Sequence, residues 1–391
     1  MTHSIQNAKV FNIEHCAQLL STMVAADTCQ PDGNESVLVD FIQDRYQEAP
    51  VEVVRLDHTP QRASLVIRVP GKDKRGGTAL VGHLDTVPTG DPAQWQSAPL
   101  VPTIKDGRLS GRGAADMKGG IAAMLLALDI LLQNKVDLKE DILFCFTADE
   151  EKNGIGALAL KESGLLQNVT QMIICEPSRD AIGLSEKGAL WVRVAARGVS
   201  CHASRPEQGC NALEALIAFE ARARKILDFS RVHRYLGSNS MSVTRMDGGL
   251  ATNIIPSTGT MELDIRTLPG ESHMNLQSAL AEICTQLEAS LPLLSLELMI
   301  LNDRPALETD ESNPLVVNLQ NTVKKLGITL EKRGLYFYTD ASQLVPGLGI
   351  PFVILGPGDD REAHKNNESI ELTSVAKFAQ LYASFIAAYC A

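Results

Sequence analysis

Four short, nearly continuous apolar runs constrain this chain most: TALVG (78–82), DILFCFTA (141–148), QMIIC (171–175) and PFVILGPG (351–358). Apolar runs of this length closed by turn residues suit strands buried on both faces, and such strands need helices on either side. IAAMLLALDILLQN, from Ile121, has the apolar spacing of a buried helix, and ASLVIRV (63–69) is a further β-rich run. The expected fold class is α/β, with a mostly parallel central sheet and helices on both faces.

From about Ser185 the pattern changes. GALWVRVAARG predicts a strand, NALEALIAFEARARKILDF a helix, SMSVTRMDGG and TGTMELDIRTLPG two strands, HMNLQSALAEICTQLEA a helix and LSLELMI a last strand. This β-α-β-β-α-β order matches a split ferredoxin-like unit. After Asp303 the earlier alternation returns, with NPLVVNLQNTVKKLG as a helix and PFVIL as a strand. At 391 residues the chain exceeds the size at which one core stops growing. The expected division is therefore a first domain built from 1–184 and 304–391, with a second domain inserted at 185–303.

The formal charge of -11, from 36 basic and 47 acidic side chains, argues against nucleic acid as a partner, because phosphate binding needs a clustered basic surface. None of the eight cysteines forms a C-x-x-C pair, which removes zinc-ribbon and thioredoxin-type readings. No apolar run reaches the ~20 residues that span a bilayer, and the first residues lack a basic stretch followed by an apolar core. No membrane association, a cytoplasmic location and free thiols are the expectation.

Five motifs place metal-ligating residue types just after the apolar strands or before a helix. GHLDTVP carries His83 and Asp85, GRGAADMKGG carries Asp116, TADEE carries Glu150 and Glu151, CEP carries Glu176, and GPGDDREAHKNNE carries His364. Groups at the carboxyl ends of strands in an open α/β sheet converge on one crevice. Each residue has a bland reading when taken singly: a hydrogen-bonded loop histidine, acids favoured at a helix N-terminus, a helix cap, a solvated strand end. Together they put two imidazoles and several carboxylates in one crevice, a donor mixture that suits zinc, with cobalt or manganese as substitutes. Asp85, Asp116, Glu150, Glu151 and Glu176 would bring a formal -5 into one cleft. Carboxylates so crowded cannot all stay ionised without cations.

These motifs, in this order, resemble the family of dizinc amidohydrolases that includes acetylornithine deacetylase, succinyl-diaminopimelate desuccinylase, aminoacylase and glutamate carboxypeptidase. The resemblance runs from about residue 8 to 385. It implies two zinc ions per chain, His83 and Glu176 completing one site, Glu151 and His364 the other, and Asp116 bridging. It implies Glu150 as general base, Asp85 as the carboxylate that orients His83, and a cis peptide at Asp116-Met117. The first domain would be catalytic and the inserted one a lid and dimerisation domain. His202, in GVSCHASRP, would reach the active site of the partner subunit in a homodimer.

Asn253 in ATNIIP and Arg266 in DIRTLPG match positions that hold the substrate carboxylate in the family, and Lys187-Gly188 resembles the Lys-Gly of the deacetylases. FYTDASQL departs from the pattern, since Phe337 and Tyr338 stand where glycines are frequent, and Tyr338 is taken as a pocket residue. The expected activity is hydrolysis of the amide bond of a small N-acyl amino acid. A dipeptidase or carboxypeptidase with the same metals differs only in the pocket. A catalytically silent dimeric binding protein is the third reading, and the intact ligand set with Glu150 argues against it. A phosphate-binding reading of GRGAADMKGG fails because no G-K-[ST] follows.

Overall fold

The computed structural model describes residues 13–73 and 76–391. The chain divides into two compact units, one of Met1–Leu184, Thr309–Arg333 and Thr339–Ala391, the other of Ser185–Glu308 and Gly334–Tyr338.

The first unit is built on β1 (Glu52–Asp57), β2 (Ala63–Val69), β3 (Gly77–His83), β4 (Asp141–Thr147), β5 (Gln171–Ile174), β6 (Ala181–Glu186) and, late in the chain, β11 (Phe352–Ile354). Their order across the sheet is β1-β2-β4-β3-β5-β11-β6. The centre, β4-β3-β5-β11, is parallel, while β1, β2 and β6 pair antiparallel at the flanks. Every residue of β3 and β4 is buried, as strands covered on both faces must be.

Helix α1 (Gly119–Gln133) is apolar but for Asp129 and Gln133 and is mostly buried, packing against the C-terminal helix Leu372–Tyr389 and the helix Ile13–Ala25. Its two leading glycines are a packing requirement. A Cβ on Gly120 would stand 2.2 Å from the Cys175 carbonyl oxygen, so only glycine lets α1 lie against the end of β5. That close approach sets Asp116, just before α1, beside Glu176, just after β5.

β6 carries the chain out of the first unit. Its last residues, Ser185 and Glu186, pair with Leu307–Glu308. The second unit is a four-stranded antiparallel sheet, β8 (Ser240–Gly248), β9 (Thr258–Thr267), β7 (Gly188–Arg197), β10 (Ser295–Arg304), in that order. The helices Ala212–Ile226 and His273–Ser290 pack with it. Along β7, Leu190, Val192, Val194 and Ala196 enter a core with Leu216, Phe219, Leu280 and Leu287, while Trp191 and Arg193 point to the opposite face. Each of the Leu, Val and Phe side chains in this core, fully buried, contributes ~1.5–3 kcal/mol.

The β-α-β-β-α-β succession is the one expected. The boundaries differ in detail: the insert runs to Glu308 rather than 303, because the Leu307–Glu308 strand pairs with the end of β6. It also takes in Gly334–Tyr338, since the Leu335 carbonyl accepts the Lys187 N–H (3.0 Å) and Tyr338 packs edge-on against Trp191. All eight cysteines are free thiols. Among the described residues, no helix is long and apolar enough to cross a membrane.

Candidate metal centre

His83 closes β3, and its ring is buried. Nδ1 lies 3.0 Å from the Asp85 carbonyl oxygen, which turns Nε2 towards the carboxylates. Nε2 stands 3.2 Å from Asp116 Oδ1 and 3.3 Å from Glu176 Oε1. On the other side, His364 Nε2 stands 3.4 Å from Asp116 Oδ2 and 3.0 Å from Glu151 Oε2. Asp116 thus presents one oxygen to each imidazole, and the peptide that follows it, Asp116-Met117, is cis.

These spacings fit metal ligation. Two donors each about 2.1 Å from one tetrahedral zinc stand roughly 3.4 Å apart. Ligand atoms of His83, Asp116 and Glu151 all lie within 4.8 Å of one another. Glu151 Oε1 is buried without a hydrogen-bond partner among the described residues, an acceptor that a cation would satisfy. The residues present fit a divalent cation: His83, Asp116 and Glu151 lie within reach of one another, with Glu176 beside His83 and His364 beside Glu151.

The electrostatics follow from crowding in a dry site. Burial works to lower the His83 pKa, but Glu176, Asp116 and Asp85 raise it well above its ordinary value. Contacts with Asp116 and Glu151 push His364 up to about 11. Asp116 is driven the other way: burial opposes its charge, yet His364 and His83 hold its carboxyl well below the usual range. Burial pushes Glu176 up to about 7 against the pull of His83. Glu150, buried and ligating nothing here, is pushed well above the carboxylate range, by burial first and then by Asp340, Glu151 and Glu176. An upward shift of this kind makes a carboxyl a better proton acceptor than a solvated one.

The Asp85 carboxylate lies 3.6 Å from His83 Nδ1, and the Asp85 carbonyl oxygen lies nearer. The same carboxylate also accepts from the backbone N–H groups of Glu150 (3.0 Å) and Glu151 (3.1 Å), holding the turn that carries both glutamates.

Glu368 is a residue that the motif reading passes over, although it ends GPGDDREAHKNNE. Its fully buried carboxylate accepts four hydrogen bonds: Arg112 (2.8 Å) and the N–H groups of Gly113 (3.0 Å), Ala115 (2.8 Å) and Asp116 (3.0 Å). Arg112 also donates to the carbonyls of Lys365 (3.0 Å) and Pro88 (3.1 Å). One acid and one guanidinium therefore tie the loop of Asp116 to the loop of His364.

The other expected residues lie in the second unit, in two groups. Lys187, Arg266 and Tyr338 gather where β7 begins, since Arg266 pairs in register with Ala189. The Arg266 guanidinium is bidentate on Asp264 (2.8 and 3.0 Å), Lys187 donates to the Ser238 carbonyl (2.5 Å), and Arg304 lies over the Tyr338 ring. His202 and Asn253 lie beyond the other end of β7. Both are exposed, and the Ala203 N–H donates to the Asn253 carbonyl at 3.0 Å. The ten residues of β7 separate the groups by about 30 Å.

A sequence profile of peptidase family M20/M25/M40 matches residues 79–388. Over 400 residues the chain is 25% identical to a probable succinyl-diaminopimelate desuccinylase of Staphylococcus epidermidis, covering 95% of this chain and 97% of that one. Over 381 residues it is 30% identical to an acetylornithine deacetylase of Myxococcus xanthus, covering 95% and 96%. Among solved structures it resembles aminopeptidase PepT of Bacillus cereus, with a TM-score of 0.79 and 23% identity over 97% of this chain and 99% of that one. It also resembles the YXEP protein of Bacillus subtilis, titled a dinuclear metal binding peptidase, with a TM-score of 0.73 and 16% identity over 97% and 98%. These structural likenesses concern the fold.

Proposed function

The chain belongs to peptidase family M20/M25/M40, a family of metal-dependent hydrolases acting on amide bonds, and from that premise we propose that it deacylates a small N-acyl amino acid with two zinc ions and Glu150 as general base. The observation that carries this reading is the division of the Asp116 carboxylate, one oxygen 3.2 Å from His83 and the other 3.4 Å from His364. His83 and Glu176 would hold one ion, His364 and Glu151 the second, and Asp116 both. When bound, such a pair polarises a carbonyl and acidifies water near neutral pH.

Glu150 has the burial and raised pKa needed to take a proton from the attacking water and pass it to the leaving amine. Asp85 keeps Glu150 and Glu151 in register through their backbone amides. Of Asn253 and Arg266, the two residues expected to hold the substrate carboxylate, Arg266 would do so within this chain, with Lys187 and Tyr338 beside it. His202 and Asn253 lie about 30 Å along the same sheet from Arg266, too far for one small substrate to touch both groups in a single chain. That separation supports a homodimer in which His202 of one copy serves the site of the other as an oxyanion donor.

The deacylase reading is favoured by the curated relatives, named desuccinylase and deacetylase over nearly the whole chain. The test is a panel of N-acetyl, N-succinyl and N-formyl amino acids beside dipeptides, run with zinc, cobalt or manganese. Turnover of one N-acyl class is expected. Turnover of dipeptides alone would replace the deacylase with a peptidase.

A further inference from the structure

Beneath the turn that carries Glu150 lies a buried polar array made largely from residues outside 79–388, the stretch that the family profile matches. Three consecutive backbone amides of the turn each end on a carboxylate. The Asp149 N–H donates to Glu35 Oε1 (3.2 Å), and the Glu150 and Glu151 N–H groups donate to the two oxygens of Asp85. Asp149 itself sits at a φ of 65°, a left-handed conformation uncommon for a residue with a side chain. The turn therefore needs outside support to hold its shape.

Two side chains brace the carboxylates. Gln30 Nε2 donates to Asp85 Oδ2 (2.8 Å) and to Asp149 Oδ1 (3.0 Å). Arg62 donates to Glu35 Oε1 (2.9 Å), Asp149 Oδ1 (2.8 Å), Gln30 Oε1 (2.8 Å) and the Pro31 carbonyl (2.7 Å). All five side chains are at least nine-tenths buried, from 0% exposed for Glu35 and Asp85 to 8% for Arg62. Desolvating three carboxylates and a guanidinium is expensive, and apolar residues of similar volume hold a core together as well or better. What an apolar plug cannot do is fix three successive amides in direction.

We propose that Arg62, Glu35 and Gln30 are positioning residues for the general base: they act through Asp149 and Asp85 to hold the Glu150 carboxylate in line with the reacting water. The proposal rests on the reading of Glu150 as the base. It assigns this part of the machinery to the segment around residues 30–62, ahead of all the ligand motifs.

The test compares Arg62→Met, Arg62→Lys and Glu35→Gln with Glu150→Gln, measuring folding by thermal melt, zinc content, kcat, KM and the pH profile of kcat. Arg62→Met is expected to stay zinc-loaded with little change in KM while kcat falls by ~10–100-fold, the scale of a misplaced catalytic group. The acid limb of its kcat profile should move, because the surroundings of Glu150 change. Arg62→Lys, which keeps the charge but not the fork, should fall between. Glu35→Gln weakens the pair with Arg62 and the hold on the Asp149 N–H, so it should lower kcat in the same direction with KM and zinc content unchanged, and it serves as the second variant if Arg62→Met does not fold; a folded, zinc-loaded Glu35→Gln with the parent's kcat and pH profile also counts against the proposal. Folded, zinc-loaded Arg62 variants with unchanged kcat and pH profile overturn the proposal, as does a loss of kcat that only tracks a loss of zinc. If Glu150→Gln keeps full activity, the base reading fails on its own, whatever the Arg62 variants do.

Discussion

The carboxylate of Glu368 accepts the backbone N–H of Asp116 at 3.0 Å, so the carboxylate that faces both His83 and His364 is set by a residue outside the candidate ligand group. Glu368 lies four positions after His364, and its partner Arg112 also grips the Lys365 carbonyl. Glu368→Ala would strand a buried guanidinium and three amides. We expect a loss of ~3–5 kcal/mol in stability and of ~10–100-fold in metal affinity, read by urea unfolding and chelator competition. Unchanged metal affinity in a folded variant would mean that the two loops hold their ligands unaided.

Metal uptake should release protons. In the bare protein His364 is raised to about 11, so at pH 7 its imidazole carries a proton that ligation must displace, and the upward shift of His83 works in the same direction. Apparent affinity should therefore rise with pH. The sign for stability without metal is separate: a raised imidazole pKa stabilises fully below its unfolded value near 6.5, and for His364 that contribution is lost as pH rises through about 11. Titration calorimetry in two buffers of different ionisation enthalpy measures the protons. No release at pH 7 would contradict the assignment.

His202→Ala should leave metal content alone and lower kcat by on the order of 3 kcal/mol in barrier, ~100-fold. If His202 serves the partner's site, mixing His202→Ala with Glu150→Gln chains should restore activity that neither has alone. Subunit-exchange assays read this directly, and no recovery despite proven exchange would place His202 outside the site.

Gly120→Ala should destabilise the protein by ~1–3 kcal/mol, because the added Cβ meets the Cys175 carbonyl oxygen at 2.2 Å and pushes α1 away from β5. Since α1 follows Asp116 and β5 precedes Glu176, metal affinity should fall with stability. A variant that matches the parent in urea would remove this account of the glycine pair.

Most residues of the candidate centre could be picked out in the sequence because they follow an apolar strand whose end the fold brings to one crevice: His83 after TALV, Glu151 after DILFCF, Glu176 after QMII. Glu368, Glu35 and Arg62 were not. Their partners are largely backbone amides, carbonyls and acids distant in the chain, and no spacing in the sequence reports such bonds. For the same reason Asp85 could be placed near His83, whereas the division of labour between its carbonyl and its carboxylate emerges only from geometry. The insert was visible as a change of periodicity at Ser185. Its return of Gly334–Tyr338 was hidden, because those residues join through strand pairing and the Trp191 ring rather than through local pattern.

The central claim, amide hydrolysis by a metal pair with Glu150 moving the proton, meets its most direct test in one variant measured two ways. Glu150→Gln, assayed for bound metal and for turnover of the best N-acyl substrate on the same sample, should keep the metal content of the parent and lose ~100-fold or more in kcat. Parent-level turnover in that metal-loaded variant would contradict the account.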